Sequence, residues 1–141
     1  MFQVQYRQMF RSNGLLDDFV LRGNLEDYEE FANAIKLALD SGQPTTFETN
    51  STYQISITES EDHPELFTSL QNEENMYSSM NEWQSRSILR VQGSSAVLGE
   101  LIEFLISIGS NSSAYVYLSE YSERLHYSKH SPEWRLEVES T

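Results

Sequence analysis

Ser85–Leu118, SRSILRVQGSSAVLGELIEFLISIGSNSSAYVYL, is the stretch on which the architecture turns. Ser87–Val91 has the composition of a strand, and Gly93-Ser94-Ser95 is a tight turn into a helix. Ser94 or Ser95 supplies the hydroxyl that caps the first free N–H groups. Val97, Leu98, Leu101, Ile102, Leu105 and Ile108 then recur at three- and four-residue spacing, the period of one helix face. Phe104 and Ile106 lie off that stripe, so burial on more than one side is expected. Gly109 ends the helix, and Ala114–Leu118 reads as a strand.

Toward the N-terminus the same order of elements occurs. Phe2–Phe10 alternates apolar and polar residues, the period of a half-buried strand, and Ser12-Asn13-Gly14 is turn chemistry. Leu15–Leu21 supplies the partner strand of a hairpin. Gly23-Asn24 introduces a helix over Leu25–Ser41, with Asn24 as N-cap and Glu26 and Asp27 at the positive end of its dipole. Tyr28, Phe31, Ala32, Ile35, Ala38 and Leu39 form its apolar face, and Gly42 and Pro44 stop it. Thr45–Thr49 and Tyr53–Thr58, separated by Asn50-Ser51, predict a second hairpin. On the C-terminal side, Arg124–Tyr127 and the alternating Trp134–Val138 predict two more strands.

Placing Gly23 on Gly93 brings the two helices into step without a gap: Tyr28 meets Leu98, Phe31 meets Leu101, Ala32 meets Ile102 and Ile35 meets Leu105. Continued, the match sets Phe47 on Tyr117 and Ile55 on Leu125. Both halves read β-α-β-β, over 15–58 and 86–138. The expected fold is α+β: one domain over 1–141, with two helices packed on one face of an antiparallel sheet.

Between the halves, 59–82 is an acidic connecting segment. It carries Glu59, Glu61, Asp62, Glu65, Glu73, Glu74 and Glu82 and no Lys or Arg. Pro64 with Glu65-Leu66-Phe67 predicts a short helix there. Over the chain, 22 acidic residues against 9 basic ones give a net charge of −13. Phosphate binding needs clustered Lys and Arg, so neither nucleic acid nor an anionic membrane is an expected partner. A basic protein is. The opening MFQVQYRQMF lacks the basic-then-apolar pattern of a leader, and no run of 18 apolar residues exists, so the cytoplasm is the expected compartment.

The chain has no cysteine, which removes disulfides, thiolate metal sites and a cysteine nucleophile. His126 and His130 are four apart on a segment read as strand end and turn, where that spacing does not align two imidazoles, and His63 lies far away in sequence. No metal site is expected. Gly-x-Ser-x-Gly, Gly-x-Gly-x-x-Gly and Walker loops are all missing, and nothing among 22 acids singles out a general acid. We therefore expect no enzyme and no cofactor.

Two clusters keep two readings each. Tyr115, Tyr117, Tyr121, Tyr127 and Trp134 are either one interior face or an interface, where Tyr and Trp bury area and keep a polar handle. The acidic segment is either a solvated loop or a surface that mimics the charge of a nucleic acid. On the interface reading, the partner-binding residues are Glu59, Glu61, Asp62, Glu65, Glu73, Glu74, Tyr121 and Trp134.

Three features of the last third of the chain resemble immunity protein family 32 of bacterial polymorphic toxin systems. They are Leu89-Arg90-Val91-Gln92-Gly93-Ser94, the Leu98/Leu101/Phe104-Leu105 helix with the strand ending Tyr117-Leu118, and the closing Ser128–Val138 run, SKHSPEWRLEV. The family carries histidines on its penultimate strand where Ala114, Tyr115 and Tyr117 stand here, and this chain is longer around Tyr121–Lys129, so no site residue is carried over. The resemblance implies a bacterial protein that binds a cognate toxin and occludes it. The alternative is a small-molecule or regulatory binding domain that uses a cavity between helices and sheet.

Overall fold

The alternating N-terminal runs pair as expected. In the computed structural model, which describes residues 1–11, 14–50, 53–72, 87–109, 115–118 and 133–139, strands β1 (Gln3–Arg11) and β2 (Gly14–Gly23) form an antiparallel hairpin. Helix α1 (Leu25–Ser41) follows with the predicted bounds. Asn24 Oδ1 accepts the Asp27 N–H at 2.9 Å, and Asp27 Oδ2 accepts the Asn24 N–H at 2.9 Å. This reciprocal pair satisfies two donors that would otherwise be free at the helix start. Gly42 ends the helix at φ 68°, the left-handed region that a side chain disfavours, and its N–H donates to the Ala38 carbonyl at 3.0 Å.

Strands β3 (Thr45–Glu48) and β4 (Tyr53–Glu59) form the second hairpin. Next come β5 (Phe67–Asn72), β6 (Ser87–Gly93), α2 (Ser95–Gly109), β7 (Tyr115–Tyr117) and β8 (Glu133–Val138). The short helix expected at Pro64–Phe67 is instead the approach to a strand. Leu66 and Thr68 are buried and Phe67 and Ser69 half-buried, a period of two, and β5 pairs with β6. The strand expected at Arg124–Tyr127 lies outside the described residues.

The class is α+β, with two helices. The strands divide between two sheets, ordered β1-β2-β8-β7 and β3-β4-β6-β5, where one antiparallel sheet was expected. Each sheet is mixed: β2–β8 and β4–β6 are parallel, and the outer pairs antiparallel. Burial accounts for the order. The strands with two fully buried inward residues, Phe19/Leu21, Ile55/Ile57, Leu89/Val91 and Trp134/Leu136, take the central places. β1, β7, β3 and β5 take the edges.

The two halves share one order of elements, β-β-α-β-β, one strand more than the expected β-α-β-β, and they exchange hairpins. Exchanging the two β-β-α-β-β units turns the first sheet into the second, because each unit gives its leading hairpin to one sheet and its trailing hairpin to the other. Local detail follows the same relation. Gly23 lies opposite Val138 and Gly93 opposite Glu59, and each of these glycine carbonyls accepts an N–H at 2.8 Å, from Glu139 and Ser60 respectively. Asn24 and Ser94 cap the two helices, and Phe2 and Leu66, both buried, precede the edge strands. The register also corrects the sequence match. By register Ile55 corresponds to Trp134 and Phe47 to Leu118 rather than Tyr117; Leu125, the expected counterpart of Ile55, lies outside the described residues.

One hydrophobic cluster draws on the inner faces of both sheets and on both helices, which pack against each other. Phe104 is buried although it lies off the main stripe of α2, whereas Ile106 is 43% exposed.

Candidate functional site

Four of the predicted acidic residues lie between the end of β4 and the start of β5, on and beside a loop at the start of α2. Glu59 closes β4 opposite Gly93, and the chain then folds over the start of α2. The Ser60 N–H donates to Gly93 O at 2.8 Å, the His63 N–H to Ser60 O at 3.1 Å, and the Ser94 N–H to His63 O at 2.8 Å. This loop presents Glu61 Oε1 to the Ser95 N–H at 3.4 Å, a carboxylate at the positive end of the α2 dipole. Glu61, Asp62 and Glu65 are exposed and Glu59 is half-buried. The His63 ring stacks on Phe67 with centroids 5.2 Å apart. No group of three metal-ligating side chains occurs among the described residues, and His126 and His130 lie outside them.

Glu73, Glu74 and Tyr121 also lie outside the described residues. Trp134 requires a correction. It is 1% exposed, packed beside Phe19 with ring centroids 6.2 Å apart, so a partner resting on the folded surface does not reach it. Strand alternation put Trp134 on one face and Arg135 on the other, and the core claimed the indole.

A second feature lies on the outer face of the first sheet; the sequence pointed to its Tyr115 and Tyr117 but not to the charged residues that join them. Arg22 on β2 contacts Glu137 Oε2 on β8 through Nε at 2.9 Å and Nη2 at 2.8 Å. Glu137 Oε1 lies 3.0 Å from Arg135 Nε, an ion pair without the alignment of a hydrogen bond. The Arg135 guanidinium sits 3.8 Å above the Tyr115 ring and 5.9 Å from that of Tyr117, and the two tyrosines meet edge to face at 6.1 Å. Three strands thus contribute to one ladder: Arg22, Glu137, Arg135, Tyr115. Only the alternation of Arg135 with Glu137 and of Tyr115 with Tyr117 hinted at it, because Arg22 and Glu137 are 115 residues apart.

Between the sheets and helices, Phe31, Leu66, Thr68, Leu105, Leu118 and Trp134 help to line a cavity of about 10 Å³. That is space for roughly one water molecule and none for a metabolite. No described helix is long and apolar enough to cross a membrane. A scan against protein-family models, a search of curated proteins and a search of solved structures each found no match.

Proposed function

We propose that the chain is a non-catalytic, acidic binding protein of the bacterial cytoplasm, an immunity protein that binds a basic toxin domain and occludes its active surface. It needs no cofactor. The observation that carries this reading is the net charge of −13, with Glu61, Asp62 and Glu65, just after Glu59 at the end of β4, on a loop pinned by backbone hydrogen bonds. A pinned loop presents its carboxylates with little further ordering, and a surface of one sign steers an oppositely charged partner into encounter. The resemblance of the last third of the chain to immunity protein family 32 points the same way. The alternative of a small-molecule or regulatory binding domain gains nothing from a cavity the size of one water molecule.

The experiment asks first whether the gene immediately upstream encodes a large protein with a C-terminal toxin domain, as this reading expects, and uses that domain as the partner. Co-expression with this chain is expected to restore growth of cells poisoned by that domain. The purified pair is expected to associate at a rate that falls steeply with ionic strength. Continued killing, with no complex on mixing, refutes the immunity reading.

A further inference from the structure

The exchanged architecture provides an internal comparison for the Arg22–Glu137–Arg135–Tyr115 ladder. Each of these positions in the first sheet has a counterpart in the second, fixed by register. Arg135 corresponds to Ser56, Glu137 to Thr58, Arg22 to Gln92, Tyr117 to Thr46 and Tyr115 to Pro44. Where the first sheet sets a guanidinium near a phenol ring, the second sets Thr46 Oγ1 against Ser56 Oγ at 3.3 Å. The same strand pairing is therefore made with two small hydroxyls. The fold does not require the ladder, and its large, charged and aromatic side chains call for another explanation.

Two properties give one. The ladder is ordered in advance, since cross-strand contacts fix its side chains before any partner arrives, and it still shows surface: Tyr115 is 55% exposed and the Arg22 side chain 48%. Tyrosine and arginine in such settings carry a disproportionate share of interface energy. Its charge also runs against that of the molecule. Two guanidinium groups share the single carboxylate of Glu137, so the ladder residues together carry one positive charge on a protein of net −13. Arg135 engages Glu137 through Nε and Arg22 through Nε and Nη2, which leaves guanidinium nitrogens without a hydrogen-bond partner among the described residues.

We propose that this ladder is the specificity surface of the complex, recognising a carboxylate on a basic protein partner while Tyr115 packs beside it. The inference rests on the binding function proposed above. A net charge of −13 attracts every basic protein alike, and discrimination among them needs a local element that most would fail to satisfy. A guanidinium pair that shares a single carboxylate is such an element. It penalises a partner with Lys or Arg at that spot and rewards one with Asp or Glu, through a planar, charge-assisted contact.

The test measures binding kinetics with the upstream-encoded toxin domain for wild type, Tyr115→Ala, Tyr115→Phe, Arg135→Ala and Arg22→Gln, with Thr46→Ala as the control from the second sheet. Tyr115→Ala and Arg135→Ala are expected to weaken affinity about ten-fold or more, through faster dissociation. Tyr115→Phe, which keeps the ring, and Thr46→Ala are expected to stay within about two-fold of wild type. Should Arg135→Ala unfold, Arg22→Gln at the exposed end of the ladder reads the same interaction. Wild-type binding with all ladder variants within about two-fold overturns the specificity surface and leaves the binding function standing. So does a loss confined to the association rate with an altered salt slope, which would mark steering alone. A wild type that does not bind overturns the function and this surface with it.

Discussion

Tyr28 ties helix α1 to the central strands of the first sheet: its hydroxyl donates to Glu137 O at 2.7 Å and lies 3.4 Å from Leu21 O. Burial, then the nearby carboxylates of Glu137, Asp27 and Glu139, push its ionisation far above the ordinary 10.0. The folded state therefore holds the phenol proton more tightly than the unfolded state. The resulting stability is complete below about pH 10 and is lost as pH rises toward the folded value, at up to about 1.4 kcal/mol per pH unit. Tyr53, raised by burial, adds in the same direction. Urea unfolding at pH 8 and pH 11 checks this. Tyr28→Phe is expected to lose about 1 kcal/mol at pH 8 and to show a shallower alkaline decline than wild type. Trp134 gives a second residue-scale test, because the chain has only two tryptophans. In a Trp83→Phe background the remaining emission is expected to be blue-shifted and shielded from acrylamide, and Trp134→Ala to lose about 3–5 kcal/mol. Quenching as efficient as that of a free indole would return Trp134 to the surface.

At the scale of elements, the two helix starts are related in topology but not in tolerance. A Cβ on Gly23 would lie 2.5 and 2.6 Å from ring atoms of Phe2 and 2.9 Å from the Asp27 Cβ, whereas on Gly93 its nearest neighbour would be Val97 Cγ1 at 3.3 Å. Gly23→Ala is expected to lower the urea midpoint by the equivalent of about 1–3 kcal/mol, and Gly93→Ala by distinctly less. Equal effects would show that Phe2 moves aside freely. These helices were legible because their signals are local: Asn24 and Ser94 as caps, a three-four spacing between, and a glycine after. β5 was not. Pro64 and Glu65 imitate the first turn of a helix, and only the pairing with β6 gives the alternation of Leu66 and Thr68 its meaning.

At the scale of the whole molecule, composition announced a single core and an acidic surface, but no local pattern encodes which strands meet. The repeat was visible through Gly23 and Gly93, yet the exchange of hairpins depends on β2 choosing β8 over β3 and β4. The candidate sites divide along the same line. The carboxylates of 59–65 are neighbours in sequence and could be named from it. The ladder joins Arg22 to Glu137 across 115 residues and could not. That placement of β8 has a consequence in time. Glu133–Val138 fills the gap between β2 and β7, and it is the last described strand in the chain. As the polypeptide emerges during synthesis, the β1–β2 hairpin must wait, one edge unpaired, while more than a hundred further residues are made. Closing so long a loop makes the first sheet slow to form, and an unpaired edge is a template for other chains. The second sheet joins strands much closer in sequence and meets no such delay, so the two halves of a symmetric design mature on different schedules.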